Sequence, residues 1–358
     1  IVARDFHRSV ENAIALAGVQ PVYVALEQQL GCLPAVVETA ALVAAMDACP
    51  DAKAVFFTYP NYYGLCPDAE RIAAEAHKRG MLVVVDGAHG AHLPYGEGLP
   101  IDLGAAGADI WSVSYHKTLP ALNQAAVLFA SARVDAHRLK QRLNLFQTTS
   151  PSYLILASMG YARGWMAACG KQALAGLSAR TQRFEQWLTA NTPFARVVTP
   201  DYTKLIIRVA DAGINGFDAA EALAKKGIHI EGADAAHLLL MSSVCTREED
   251  WQLLEGALIE LADRPCGQTR LCRQMPIVLG GQVPWKIDGP AVQVEWQQAA
   301  GKLAAESVFA YPPGVPLVLR GQQICPELPE LLAEMRDTGY NLIGTDGRTL
   351  AVAEPADQ

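Results

Sequence analysis

Residues 82–92 have the sequence LVVVDGAHGAH, and this pattern indicates the fold class. Three consecutive valines follow Leu82, as in a strand buried on both faces of a parallel sheet. The apolar run ends in Asp86, which puts a carboxylate at the carboxyl end of that strand. Ligands of open α/β sheets bind at this edge, so Asp86 is a candidate site residue. The alternative is a structural Asp that caps the turn, with His89 and His92 satisfied locally.

Strand and helix patterns alternate on both sides of this segment. Further strand candidates are residues 21–24, 54–59, 108–114 and 125–129. Residues 68–79 follow Pro67, have acidic residues early and basic residues late, and end before Gly80, as helices do. Strand, helix and strand at this spacing predict right-handed crossovers and a mostly parallel α/β sheet covered by helices.

The second half of the chain has a different texture. Residues 154–165 predict a long buried helix that leads out of the sheet domain. A smaller α+β domain is predicted from strands at 204–209 and 238–243 and helices at 219–226 and 248–262. Residues 264–282 look like a linker, and a last module contains YPPGVP at 311–316 and a helix at 327–338. The predicted domains are therefore 1–180, 181–263 and 264–358.

Composition excludes several classes of protein. The 358 residues are 51% hydrophobic and 18% charged, which is too apolar for a disordered chain. A net charge of −8 disfavours a nucleic-acid binder, and no apolar run approaches the ~18 residues of a membrane span. The eight cysteines include no C-x-x-C pair, which favours reduced thiols in a cytoplasmic protein over a disulfide scaffold or zinc ribbon.

A second polar motif, SVSYHKTLP at residues 112–120, also follows a predicted strand. Lys117 lies in an apolar context beside His116 and small hydroxyl residues. Desolvation favours the neutral form of a lysine, which is the form that attacks a carbonyl. The alternative is a surface lysine whose stem lies along apolar neighbours.

Asp86 and Lys117 together are more specific than either alone. They follow successive strands, so the sheet would bring them to one edge. Pyridoxal phosphate (PLP) needs a carboxylate that keeps its pyridine nitrogen protonated and a lysine that binds its aldehyde. A metal site of Asp86, His89, His92 and His116 is a weaker alternative. The spacing of three suits convergence only on a helix, which two glycines disfavour.

Several motifs, in order along nearly the whole chain, resemble the PLP-dependent Orn/Lys/Arg decarboxylase family, whose fold is that of aspartate aminotransferase (PLP fold type I). The matching motifs are HRS at 7–9, PNYYG at 60–64 with Cys66, DGAHGAH at 86–92, SYHKTLPA at 114–121, TTSPSY at 148–153 and YPPGVP at 311–316. The motifs around Lys117 and Thr149 are the most specific.

The resemblance implies a role for each matching residue. Lys117 would bind the cofactor covalently, and Asp86 would pair with the pyridine nitrogen. Ala88 would pack on one face of the ring and His7 would stack on the other. The remaining implied site residues are His89 near the cofactor, Ser114 and His116 at its phosphate, and Thr149 and Ser150 near a dimer interface.

The chain departs from the family pattern at three places. The family's Asp-Glu-Ala-His is Asp86-Gly87-Ala88-His89 here, which puts the tuning of the substrate site in question more than cofactor binding. Arg320-Gly321-Gln322 stands where the family has Pro-Gly-Glu. The glycine-rich phosphate segment of the family would precede Ile1, so we expect the chain to be part of a longer protein.

The expected activity is α-decarboxylation of arginine, lysine or ornithine to an amine, of the kind used in polyamine biosynthesis, by a cytoplasmic homodimer or larger homo-oligomer. Transamination or β-elimination with the same cofactor is the first alternative. A metal-dependent hydrolase is the second. The sequence does not distinguish among the three basic substrates.

Overall fold

The computed structural model describes residues 1–26, 29–30, 33–34, 36–263, 281–282, 290–311 and 314–353. The chain divides into two compact units. The first comprises Ile1–Ala45, Ile207–Leu239 and Asp263–Gln358, and the second comprises Met46–Ile206 and Leu240–Ala262.

The strands of the described residues are short. In chain order they are β1 Val2–Ala3, β2 Val22–Val24, β3 Gln29–Leu30, β4 Leu33–Pro34, β5 Ala54–Thr58, β6 Leu82–Asp86, β7 Ile110–Ser114, β8 Ala126–Ala130, β9 Ala195–Val197, β10 Lys204–Arg208, β11 Gly232–Ala233, β12 His237–Met241, β13 Gly281–Gln282, β14 Ala291–Glu295, β15 Val308–Tyr311, β16 Val315–Val318, β17 Asn341–Ile343 and β18 Thr349–Ala353.

The helices vary more in length than the strands do. They are α1 Arg8–Ala17, α2 Thr39–Ala48, α3 Ala69–Lys78, α4 Tyr115–Thr118, α5 Ala136–Leu143, α6 Tyr153–Asn191, α7 Gly216–Ala224, α8 Glu248–Ala262, α9 Trp296–Ala299 and α10 Leu328–Thr338. Among the described residues, no helix combines the length and the apolar character that crossing a membrane requires.

The second unit contains the sheet that the sequence predicts. β5, β6 and β7 pair in parallel, with Val85 of β6 between Phe57 and Trp111. α3 lies between β5 and β6 in the chain. Asp68 caps its N-terminus, because the Asp68 side chain accepts the Arg71 N–H at 3.0 Å. The carboxyl ends of β6 and β7 consequently lie side by side, as the α/β prediction requires.

The first unit contains further strand pairs. β1 and β2 pair in parallel, and β13 adds to β2 in the antiparallel sense. β14 pairs with β18, and β15 lies between β16 and β17. Trp296, Leu332 and Met335 belong to the buried cluster of this C-terminal part.

The structure confirms the α/β class, with a mixed and mostly parallel sheet, but corrects two details. β8 pairs with β7 antiparallel, not parallel. The connection Tyr115–Ala125, which contains the single turn of α4, is too short for a crossover helix. The helix predicted at 154–165 is α6, and its first turns are exposed rather than buried, with Leu154 76% exposed.

The three predicted domains 1–180, 181–263 and 264–358 remain a prediction. The linker predicted at 264–282 lies outside the described residues except for 281–282, and residues 312 and 313 of the YPPGVP motif also lie outside them. The helix predicted at 327–338 is α10, which begins one residue later.

Candidate active site

Asp86 ends β6 at the edge of the sheet where the parallel strands terminate. It pairs in register with Ser112 of β7, and the Gly87 N–H donates to the Ser112 carbonyl at 2.8 Å. Asp86 Oδ1 accepts the Ala88 N–H at 3.0 Å. The turn after the strand therefore fixes the carboxylate at the sheet edge, so the capping and site interpretations of Asp86 are compatible.

Lys117 lies on the short helix α4, which follows β7 without a break. Its Nζ is 3.3 Å from Nε2 of His89, in the turn after β6. The Lys117 side chain is exposed, contrary to the buried context that its neighbours suggest. The fold thus brings the two predicted motifs into contact: the amine of Lys117 belongs to one motif and the imidazole of His89 belongs to the other.

His89 is buried and has a second lysine on its other side. Nζ of Lys204, the first residue of β10, is 3.2 Å from His89 Nδ1. Lys204 has no exposed surface at all. Sequence reasoning identified residues 204–209 only as a strand and missed this lysine, although a lysine beginning an apolar strand was a usable signal.

A buried carboxylate lies three residues before Lys204. Asp201 Oδ1 is 3.1 Å from His92 Nε2 and accepts the Thr203 hydroxyl at 2.7 Å and the Thr203 N–H at 3.0 Å. Burial alone would raise the pKa of Asp201. The charge and hydrogen bond of His92, with the charge of Lys204, outweigh burial and hold the pKa of this carboxyl well below its usual range.

The loop after β5 covers His89. The Tyr62 ring meets the His89 ring edge to face, with centroids 5.5 Å apart. Gly64 has φ +79°, and a Cβ there would lie 2.7 Å from Lys204 Cγ and 3.0 Å from Asp201 Cβ. Only a glycine allows this loop to approach Lys204 so closely.

Two further groups near this loop are held in their neutral forms. Burial and the charge of Asp201 raise the pKa of the Cys66 thiol. Burial, with Cys66 as a neighbour, raises the pKa of Tyr59. A thiol in this state is a poor nucleophile, so Cys66 is not a candidate catalytic residue.

The other predicted site residues occupy varied positions. Ser114 stands at the N-cap of α4 without a side-chain capping bond, and His116 Nδ1 is 2.9 Å from the Ala125 carbonyl oxygen. Thr149 and Ser150 are exposed just before α6. His7 lies in the first unit, where its Nδ1 accepts the Ser9 N–H at 3.2 Å and caps α1.

The structure gives a physical reason for one departure from the family pattern. A Cβ at Gly87 would lie 2.7 Å from Leu103 Cδ1 and 2.9 Å from the Ser112 carbonyl oxygen, so the space that a Glu side chain needs is filled. In the first unit, Gln322 Oε1 accepts hydrogen bonds from Nη1 of the buried Arg4 at 3.0 Å and from the Leu319 N–H at 3.1 Å. A Glu oxygen would accept both bonds as well, so nothing in the structure explains the Arg320-Gly321-Gln322 departure.

The alternative metal cluster does not assemble. The ring nitrogens of His89 face two lysines, and Nε2 of His92 faces Asp201. Across the part of the chain that the structure describes, no three His, Cys, Asp or Glu side chains are arranged as a metal site.

Comparisons with known proteins agree with these motifs. A family model described as Orn/Lys/Arg decarboxylase, major domain, matches residues 1–205. The uncharacterized protein YaaO of Bacillus subtilis (strain 168) is 32% identical over 94% of this chain and 73% of its own length. An arginine decarboxylase of Halalkalibacterium halodurans is 30% identical over 98% of this chain and 75% of its own.

A solved structure extends the comparison to the fold. The lysine decarboxylase LdcF of Francisella novicida superposes with a TM-score of 0.78 at 16% identity and covers 99% of this chain. The chain spans 66% of that protein, and a likeness at this identity bears on the fold alone. It confirms the predicted PLP fold type I class. From the family match over 1–205 and the 32% identical relative, the chain belongs to the Orn/Lys/Arg decarboxylase family.

Proposed function

We propose that this chain catalyses PLP-dependent α-decarboxylation of a basic amino acid, releasing carbon dioxide and the corresponding amine. The observation that carries the proposal is the pair of strand ends: Asp86 ends β6, and Lys117 follows the adjacent parallel β7 within 3.3 Å of His89. Membership of the family supports it.

The residues present suit the cofactor. A carboxylate anchored by the Ala88 N–H, an exposed amine and a buried imidazole meet at one sheet edge. When bound, PLP withdraws the electrons that remain on the substrate Cα as carbon dioxide leaves. Asp86 would hold its ring nitrogen protonated, and Lys117 would bind its aldehyde.

The remaining cofactor contacts follow from the family motifs. Ser114 and His116 would bind the phosphate, and the His116 Nδ1 contact with the Ala125 carbonyl leaves Nε2 for that role. Ala88 would pack against the ring, and His7 would stack on its opposite face.

Lys117 would have a second task after the carboxylate has left. Its Nζ can take a proton from His89 Nε2, 3.3 Å away, and deliver it to the substrate Cα. Each turnover therefore consumes one proton. The substrate is arginine, lysine or ornithine; relatives are named as decarboxylases of two of these amino acids.

We also assign this chain to a cytoplasmic homodimer. Exposed apolar residues lie between α5 and the first turns of α6: Leu145, Phe146, Tyr153, Leu154 and Tyr161. Such a patch, next to Thr149 and Ser150, suits contact with a second copy. The cysteines of the described residues are free thiols, as in a reducing compartment.

The test is to incubate the protein with PLP, reduce with borohydride and map the modified peptide by mass spectrometry. A pyridoxyl group on Lys117 is expected, with none at residue 117 in K117R, which keeps the positive charge. The protein is then given arginine, lysine and ornithine separately. Release of carbon dioxide and amine supports decarboxylation, whereas a keto acid or an eliminated fragment would replace it with transamination or β-elimination.

A further inference from the structure

His89 lies between two amines, one on each ring nitrogen. Lys117 Nζ is 3.3 Å from Nε2, and Lys204 Nζ is 3.2 Å from Nδ1. Lys117 is exposed, whereas Lys204 is completely buried. The family roles assigned above use Lys117 and His89 and leave Lys204 without a task.

Lys117, His89 and Lys204 are called the trio below. The number of hydrogens that each can donate limits how the trio can be protonated. A lysine ammonium only donates, and a neutral imidazole has one N–H and one lone pair. If both contacts are hydrogen bonds, one lysine must accept from the ring N–H and is therefore a neutral amine. A doubly protonated ring would require both amines to be neutral. Two hydrogen bonds therefore require that at least one of the two lysines is uncharged.

The surroundings decide which lysine keeps the proton. Burial by itself favours a neutral Lys204, but the ionised carboxylate of Asp201 interacts with its charge. The charge of Lys204, together with His92, holds this carboxyl ionised, and the same attraction favours the charged form of Lys204. The Tyr62 ring contacts the His89 ring, and His92 bonds Asp201. The charge of Asp201 acts on Cys66, and both Cys66 and its neighbour Tyr59 are neutral. Asp86 is the carboxylate at the end of β6.

We propose that Lys204 is a positioning residue that acts through His89 to keep the Lys117 amine neutral and nucleophilic. Lys204 donates to Nδ1, and the Nε2 proton is thereby directed at Lys117. If one proton passes from Lys204 to Nδ1, another passes from Nε2 to Lys117, so the trio also delivers a proton to the reacting amine. The inference rests on the proposed function only in taking Lys117 as that amine.

The experiment is competitive acetylation with a trace of acetic anhydride, with PLP absent, from pH 6 to 11. Mass spectrometry follows Lys117 and the exposed Lys140 in the same digest. The midpoint in pH for Lys117 is expected to lie below that for Lys140. Equal midpoints in the wild-type protein would overturn the proposal without any variant.

Two variants test the role of Lys204. In K204M the Lys117 midpoint is expected to rise, because a positive charge and the donor to Nδ1 are both lost, and acetylation at pH 8 should fall about 10-fold. H89F should raise the Lys117 midpoint in the same way. Adding K204M to H89F should then raise the midpoint by less than K204M alone does in the wild-type protein. K171M, the same change on an exposed lysine paired with Glu97, should leave the midpoint unchanged.

The outcomes separate this inference from the proposed function. A folded K204M with the wild-type midpoint would contradict the role of Lys204, whether or not the protein decarboxylates. A shifted midpoint in a protein that forms no PLP adduct would support the trio and contradict the PLP function. If K204M does not fold, H89F and the wild-type comparison still decide.

Discussion

At the residue scale, Asp86 and Lys117 could be predicted because each follows an apolar run that identifies a strand. Because parallel strands end at the same edge of a sheet, the two residues are then expected to lie near each other. Lys204 and Asp201 could not be found in this way. They lie more than 80 residues further on, and only the tertiary fold brings Lys204 to His89 and Asp201 to His92. The sequence also does not show that Leu103 fills the volume beside Gly87.

Asp86→Asn tests the negative charge of the carboxylate without changing the shape of the side chain. The activity of D86N should fall by about 100-fold or more, because the neutral amide does not hold the ring nitrogen of the cofactor protonated. Initial rates of carbon dioxide release measure this. The PLP adduct on Lys117 should still form after reduction, and a D86N protein with near-normal rates would contradict the role of Asp86.

Asp201→Asn should destabilise the fold by about 3 kcal/mol at pH 7, because it removes one partner of a buried pair with His92. The lowered pKa of Asp201 means that its contribution is complete above its usual value of 3.8 and is lost as the pH falls below it. Urea unfolding should therefore show the difference between D201N and wild type shrinking below about pH 4.

The control for this prediction is Asp250→Asn. Asp250 is exposed and bonds Arg247 at 3.0 Å on the surface. Because solvent screens such pairs, its loss should change unfolding little at any pH. A D201N deficit that did not diminish in acid would show that folding does not lower the pKa of this carboxyl.

At the element scale, the parallel strands and α3 were predictable because apolar runs, Asp68 as a cap and Gly80 as a stop are local signals. The direction of β8 was not, since the length of its connection to β7 overrides its strand pattern. The exposed first turns of α6 have the composition of a buried helix, so sequence alone gives the helix and not its surroundings.

Gly87→Ala tests the contact between the turn after β6 and the neighbouring strand. The added methyl group would press on Leu103 and the Ser112 carbonyl, so we expect G87A to be destabilised by about 1–3 kcal/mol. Gly176→Ala, within α6, is the matched control. No atom lies within 4 Å of its new Cβ, and helix propensity should stabilise it by about 0.5–1 kcal/mol. Thermal unfolding measures both, and equal shifts would contradict the crowding at Gly87.

At the scale of the whole molecule, exposed apolar residues concentrate between α5 and the first turns of α6. Composition could not locate this patch, because the same residues would suit a core. Its segment contains Thr149 and Ser150, which the family resemblance associates with a subunit interface. The motif therefore predicts a subunit contact in this segment, and the fold shows that apolar residues of the segment are exposed.

Leu154→Asp should weaken self-association of the protein by about 30-fold, or ~2 kcal/mol, because a charge would replace an apolar side chain within the contact. Sedimentation velocity over a range of concentrations measures the change. Leu253→Asp, on the exposed face of α8, is the control and should leave association unaltered. Association of L154D at the wild-type strength would exclude this patch as the dimer contact.

The close approach of Gly64 to Lys204 also has an evolutionary consequence. Because a Cβ at residue 64 would collide with the Lys204 stem, the two positions are epistatic: shortening residue 204 removes the closest contact, although Asp201 Cβ still lies 3.0 Å away. The positive φ of Gly64 adds a second barrier to that route. Homologues that retain the buried lysine should therefore retain the glycine, and drift at either position should be paired with change at the other.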